Sequence, residues 1–257
     1  MQMQKKINSW LITQVDKGTQ TDYLELDSGE FLSNEIIIEV KNSALNYKDA
    51  LAITGMAPII RKFPLIPGID FSGVVIQSKN KKFGEGDRVF ATGLGLGELQ
   101  HGGLSSHAST DADILIKLPN KYTHSYIMGL GTAGLTAMLA VLALHENSIK
   151  PDAGKVLVTG SSGAVGGIAT KLLLKLGYEV VAMTSRPEYN RDYLKSFGNI
   201  ISESKINIKS VSDFKFNFGK MYFCTCLRPP PLSNLTPSFT KLSYSFCSIS
   251  LLLECLK

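Results

Sequence analysis

EIIIEVK at 35–41 is a β-branched apolar run of strand length. Similar runs return at 71–78 (FSGVVIQS), 87–92 (DRVFAT) and 113–119 (DILIKLP). A turn-rich connection, KNKKFGEGD, joins the second to the third, and the glycine-heavy GLGLGELQHGGL follows at 93–104. A segment of that kind lies on the surface or wraps a ligand. Several short strands punctuated by glycine turns predict a partly open β-barrel.

From residue 124 the period changes. Residues 124–146 predict one long apolar helix, KVLVTG at 155–160 a buried strand, and 163–176 a helix. YEVVAMT (178–184) is the next strand. EYNRDYLKSFG (188–198) is a helix closed by Gly198, and NIIS (199–202) begins a further strand. This β-α-β-α-β order predicts a parallel sheet with right-handed crossovers. The uncharged run at 126–144 approaches the length of a membrane span, about 20 residues. Its glycines and threonines favour a buried helix of a soluble protein over a span.

After Gly219 the pattern stops. All 23 glycines lie at or before that position, while Pro229, Pro230 and Pro231 and all four cysteines lie beyond it. Neither helical nor strand period is visible there. Two origins are open: a disordered natural tail, or unrelated sequence from a frame shift or wrong exon, which is the preferred reading. The expected organisation is a first domain at 1–122, a second, incomplete one at 123–219 and an unmatched tail at 220–257.

Hydrophobic residues make up 44% and charged residues 19%, a globular balance. The net charge of +5 sits mostly in the tail, which carries Lys220, Arg228, Lys241 and Lys257 against Glu254. No basic stripe with interleaved aromatics appears, which argues against nucleic acid as a partner. Cys224 and Cys226 are too closely spaced for a zinc knuckle, and no metal is expected. The opening MQMQKKINSW has no apolar signal region, so the expected location is cytoplasmic, with no membrane partner.

The candidate chemistry begins at Gly160, Gly163 and Gly166, spaced by three between a strand and a helix. Gly160 allows a tight exit from the strand, Gly163 a close approach by a pyrophosphate, and Gly166 close packing of the helix. The helix N-terminus then offers free N–H groups and partial positive charge to phosphate. The spacing alone is weak; the strand-turn-helix-strand context makes it a dinucleotide site. The second strand ends Thr184-Ser185-Arg186 rather than in an acid. A carboxylate would repel a 2′-phosphate, whereas a guanidinium pairs with it and two hydroxyls add donors, so the site favours NADPH over NADH. The alternative is that Arg186 merely ends an exposed strand.

Three segments, SALNYKDALAITGMAPIIRKFPLIPGIDFSGVV (43–75), GTAGLTAMLAVLAL (131–144) and VLVTGSSGAVGGIA (156–169), occur in the order found in a known family. Together they resemble the zinc-independent, quinone oxidoreductase-like branch of the medium-chain dehydrogenases/reductases, in particular its NADPH-dependent acrylyl-CoA-reducing members. The resemblance covers about residues 1–205. It implies a GroES-like partly open barrel beside an incomplete Rossmann doubly wound parallel sheet, with the active site between them. By position, Ser162, Gly163, Ala164 and Val165 match the phosphate turn, and Thr184, Ser185 and Arg186 the 2′-phosphate clamp. Tyr47 and Ala50 match the cofactor-facing part of the barrel domain, and Thr132 the approach to the nicotinamide amide. Zinc-dependent relatives carry an early cysteine and a His-Glu pair where this chain reads PGIDFSG; it has no cysteine before Cys224 and shows Asp70 there.

The reaction so implied is hydride transfer from NADPH to the β-carbon of an α,β-unsaturated thioester such as acrylyl-CoA, or reduction of a quinone. A non-catalytic remnant is the further alternative. Such chemistry needs positioning and stabilisation of an enolate oxygen rather than an activated nucleophile. Asn46, as donor or orienter, and Tyr47, as donor or stacking wall, are the catalytic candidates. Against these stand a helix-capping role for Asn46 and a core role for Tyr47. Asp49 either orients its neighbours or is exposed. His101 and His107, flanking the glycine loop, read as solvated. Relatives form homodimers through the Rossmann sheet edge, and the segment that would do so lies in the unmatched part.

Overall fold

The structure, a computed structural model, describes residues 5–198, 201–203 and 221–224. The chain divides into two compact units, Met1–Thr132 and Ala133–Lys257.

The first unit opens with a hairpin absent from the sequence-based expectations: β1 (Lys6–Val15) and β2 (Gly18–Asp27), antiparallel, with Lys6 opposite Asp27. Its inward positions are Ile7, Ser9 and Leu11, and the buried serine interrupts the apolar alternation. Asp27 accepts the Gly29 N–H at 2.8 Å and so starts the short α1 (Ser28–Phe31). There follow β3 (Ile36–Ala44), α2 (Tyr47–Thr54), β4 (Asp70–Ser78), β5 (Arg88–Thr92), β6 (His107–Thr110) and β7 (Ile116–Lys117). Five of these strands make an antiparallel sheet in the order β6-β3-β4-β5-β7. Ile36 and Ile38 pack with Phe71, Val75 and Val89, whereas Ile37 packs with Ile7, Leu11 and Ile66. Both faces of β3 are therefore covered, which is why its sequence is a continuous apolar run rather than an alternating one. Leu65 and Ile12 exchange two backbone hydrogen bonds of 2.9 Å, tying the hairpin to the rest. The described strands form open sheets of two and five, with no closed barrel among them.

The expected strand at 113–119 shrinks. Residues Ala112–Ile114 form a 3₁₀ turn, and only Ile116 and Lys117 pair, with Phe90 and Val89. Ala112 and Leu115 are both buried, so this apolar spacing serves a turn as well as a strand. The long apolar helix is α3 (His124–Glu146), but it breaks at Gly131, where φ is 47° and ψ is −150°. The division between the two units falls next to that break. By length and composition α3 could cross a membrane, yet half of its most apolar window is buried within the structure.

The second unit contains β8 (Lys155–Thr159), α4 (Ala164–Lys175), β9 (Val180–Met183), α5 (Pro187–Lys195), β10 (Ile201–Glu203) and β11 (Met221–Cys224). The sheet runs β10-β9-β8-β11 and every neighbour is parallel, as the alternating pattern requires. Val156, Leu157 and Val158 are fully buried, and α4 covers the sheet with Ala169, Leu172 and Leu173. Strand β11 lies where no strand was expected. Its four residues pair with Lys155 to Val158, a run too short for a period to show. Residues 225–257, with Cys226, Cys247 and Cys255, lie outside the described residues, so the two readings of the tail's origin do as well.

Candidate functional site

In the first unit the candidates gather around a carboxylate. The chain leaves β3 in extended conformation at Asn46 (φ −108°, ψ 160°) and enters α2. Asp49, in the first turn of α2, accepts the Asn46 backbone N–H at 2.7 Å and the Ile69 N–H at 3.0 Å. It is buried and orients both segments, which settles its role as an orienter rather than an exposed residue. One residue beyond Ile69, Asp70 begins β4 and is fully buried. Its Oδ2 accepts the Asn46 side-chain amide and the Thr132 backbone N–H, each at 2.9 Å, and its Oδ1 accepts the Thr132 hydroxyl at 2.5 Å. The Asn46 amide thus reaches across to β4. Burial pushes the Asp70 carboxyl above the usual carboxylate range, and the donors from Thr132 and Asn46 pull it back. Asp49 is also raised, first by burial and in smaller part by the nearby Asp70 charge.

The break in α3 belongs to this arrangement. A Cβ on Gly131 would stand 2.5 Å from Asp70 Oδ2, and the positive φ disfavours any side chain. Glycine is needed there so that the chain can turn the Thr132 amide onto the carboxylate.

Tyr47 is 80% exposed, so the core reading of this residue is corrected. It shares the first turn of α2 with Ala50, whose N–H bonds the Asn46 carbonyl at 3.2 Å. Lys48 pairs with Glu98, and the Glu98 carbonyl accepts the Arg61 N–H at 3.1 Å, fastening α2 to the glycine loop. The two histidines are not solvated. His101 Nδ1 accepts the Ile66 N–H at 3.2 Å and its ring lies 5.2 Å from that of Phe31; burial lowers its pKa. His107 is buried within β6, and burial lowers its pKa too. His101 is held because the loop folds back onto 66–68, with Gly102 N–H donating to the Ile66 carbonyl at 2.8 Å and Gly103 N–H to the Gly68 carbonyl at 2.9 Å, whereas His107 is held by its pairing with Glu39 of β3.

In the second unit, β8 leads into the glycine turn. Gly160 has φ +62°, and Gly163 precedes α4 without a side chain to cap it. Ala164, Val165 and Gly166 follow at the helix start, where backbone N–H groups await an acceptor from outside the helix. A Cβ on Gly166 would meet the Gly160 carbonyl oxygen at 2.3 Å. Its bareness therefore serves the turn's own backbone. Ser162 Oγ lies 3.0 Å from Thr184 Oγ1, joining the turn to the end of β9. Thr184 is buried, whereas Ser185 and Arg186 are exposed. Asn190, one turn into α5, donates through Nδ2 to Thr184 Oγ1 at 3.1 Å and to the Arg186 carbonyl at 2.9 Å. Bare backbone at a helix start, beside hydroxyls and an exposed guanidinium, fits the pyrophosphate and 2′-phosphate of a phosphorylated dinucleotide.

The sequence reading used Asp70 only as a departure from the zinc pattern, and Asn190 went unnoticed. The signal for Asp70 was an acid inside an apolar run. Asn190 stands four residues after Arg186, one helical turn away.

Residues 33–120 match the family model of the alcohol dehydrogenase GroES-like domain. Over 188 residues the chain is 46% identical to the probable acrylyl-CoA reductase AcuI of Escherichia coli, covering 73% of this chain and 58% of that protein. The solved E. coli YhdH with bound NADPH has a TM-score of 0.72 at 44% identity, covering 76% of this chain and 60% of that one. The putative quinone oxidoreductase YhfP of Bacillus subtilis is 47% identical over 163 residues, covering 63% of this chain and 49% of that protein. YhfP solved with NAD bound has a TM-score of 0.73 at 39% identity, covering 77% and 61% of the two chains. The chain carries an alcohol dehydrogenase GroES-like domain and is similar over about three quarters of its length to these oxidoreductases. It spans less than two thirds of the length of these relatives.

Proposed function

We propose that the chain is an NADPH-dependent oxidoreductase of small molecules that reduces the activated C=C bond of an α,β-unsaturated acyl thioester, of the acrylyl-CoA kind. The observation that carries this is the pairing of Ser162 with Thr184 beside Arg186, next to an uncapped helix start. An acid in place of those residues would repel a 2′-phosphate. The likeness to AcuI and to NADPH-bound YhdH supports the same reading. The burial of half of the most apolar part of α3 supports a core helix rather than a membrane span, and the enzyme is proposed to be cytoplasmic with no membrane partner.

Bound NADPH supplies the hydride. Ser162, Ser185 and Arg186 would hold its phosphorylated ribose, with Thr184 fixing Ser162 from behind, and the amides of Ala164, Val165 and Gly166 would hold its pyrophosphate. Tyr47, Ala50 and Thr132 are the first unit's candidates to meet its nicotinamide. Asp70 holds Asn46 and Thr132 in fixed orientations, and Asn46 and Tyr47 orient the thioester and bear on its carbonyl oxygen as negative charge develops there. The substrate needs no nucleophile, and none of these side chains is one.

The likeness to YhfP favours a second reading, quinone reduction. The two separate on purified protein, by following NADPH oxidation with acrylyl-CoA and with benzoquinone. The acyl thioester is expected to be the better substrate by at least about tenfold in kcat/KM, a difference of about 1.4 kcal/mol. Preference for the quinone overturns the thioester reading. NADPH binding without turnover of either selects a non-catalytic remnant.

A further inference from the structure

We infer that Asn190 is a positioning residue for the 2′-phosphate of the coenzyme: acting through Thr184, it sets Ser162 as a hydrogen-bond donor. The inference rests on the NADPH reading above and concerns a residue outside the expected clamp.

Donors and acceptors fix the polarity of this cluster. Asn190 Nδ2 lies 2.9 Å from the Arg186 carbonyl, which can only accept, so the atom there is the amide nitrogen and not the amide oxygen. Its second hydrogen goes to Thr184 Oγ1 at 3.1 Å. The Arg186 backbone N–H, at 3.4 Å, approaches the same oxygen. Both lone pairs of the Thr184 hydroxyl are then engaged as acceptors, and its proton has one partner left, Ser162 Oγ at 3.0 Å. Ser162 accepts that proton and keeps its own O–H. Among the described residues no other hydrogen bond to Ser162 Oγ occurs, so its hydroxyl is free to donate to a ligand oxygen in the turn before α4. An acceptor-only dianion such as a 2′-phosphate is the group such a donor suits.

Asn190 acts on the clamp in a second way. The Arg186 carbonyl accepts both its backbone N–H at 3.1 Å and its side chain at 2.9 Å. That double contact holds Arg186 at the entry to α5, with its exposed guanidinium anchored by a fixed backbone. The relay thus sets the polarity of the serine and the footing of the arginine together.

The test titrates the full chain with NADPH and with NADH, in wild type, N190A, S162A, the N190A/S162A double variant, T184S and T184V. A hydrogen bond to a charged group is worth enough to change affinity by about tenfold. N190A and T184V are expected to weaken NADPH by about fivefold to tenfold and to leave NADH within about twofold, which also shows that the variants are folded. T184S keeps the hydroxyl and should bind as wild type. In the S162A background, N190A should cost less than in wild type, because part of its effect runs through that serine. Full additivity, or an equal loss for both coenzymes, overturns the inference while leaving the NADPH reading in place. A wild type that does not bind NADPH overturns both.

Discussion

Thr132 binds Asp70 twice, its backbone N–H to one carboxylate oxygen at 2.9 Å and its hydroxyl to the other at 2.5 Å. Asn46 adds a third donor. Asp70 thus links the residue expected near the nicotinamide to the residue expected near the substrate, without itself being exposed to either.

Both N–H donors meet at Oδ2, and the Thr132 hydroxyl at Oδ1 can accept as well as donate, so an amide at this position can keep all three contacts while alanine loses them. Asp70→Ala is therefore expected to lower turnover by about tenfold or more, the consequence of losing buried hydrogen bonds of about 1–3 kcal/mol, and Asp70→Asn by less. NADPH affinity should change by less than about threefold, since the groups proposed to grip its phosphates lie elsewhere. Steady-state kinetics with a parallel coenzyme titration checks this. Unchanged kcat in both variants would remove Asp70 from the site.

The glycine turn predicts a contrast between neighbours. A methyl at Gly166 runs into the Gly160 carbonyl at 2.3 Å, whereas one at Gly163 finds its nearest atom, the same oxygen, at 3.3 Å, with φ at −85°. Gly166→Ala should destabilise the chain by about 1–3 kcal/mol, the cost of forcing atoms into a packed site. Gly163→Ala should melt close to wild type yet bind NADPH more weakly, because its Cβ stands on the pyrophosphate approach. Thermal melts and coenzyme titrations of the two variants separate these effects, and equal melting temperatures would contradict the packing argument.

His124 gives the first unit a pH dependence of known sign. The Ser72 hydroxyl donates to the Val89 carbonyl at 2.9 Å and lies 2.7 Å from His124 Nδ1, so Nδ1 is the donor in that pair. Nε2 is then free to accept from Arg88 Nε at 3.4 Å. Burial first, then the charges of Arg88 and Lys41, push the pKa of His124 below its ordinary value. The unfolded chain therefore takes up the proton first. The contribution is complete above about pH 6.5 and is lost as pH falls from there toward the folded value. His124→Asn, which keeps a donor toward Ser72, should lose less melting temperature than wild type between pH 7 and pH 5. The buried Asp49 and Asp70 act in the opposite direction and are common to both proteins, so the difference isolates the histidine. Parallel melting curves would refute the assignment.

The alternation of strand and helix in the second unit was legible because each run is apolar and long enough to show a period, as in β8 and α4. The hairpin was not, because buried Ser9 breaks the alternation of β1. Strand β11 was not, because four residues show no period. At the site, Thr184 and Arg186 could be named from their place at the end of the second strand, and Ser162 from the family resemblance. Asp70 could not, because its partners lie 24 and 62 residues away and only the fold brings them together. Asn190 was hidden for another reason: in a polar helix no sequence pattern tells which side chain turns back onto the preceding strand end.

The central claim is that this chain grips a phosphorylated ribose with the cluster at the end of β9. The most direct measurement is the dissociation constant of the full chain for NADPH and for NADH, in wild type and in Arg186→Ala. The account predicts that wild type holds NADPH at least about tenfold more tightly, one charged hydrogen-bonded contact's worth, and that the variant loses most of that difference without losing NADH. A wild-type chain that binds the two coenzymes equally well would contradict it.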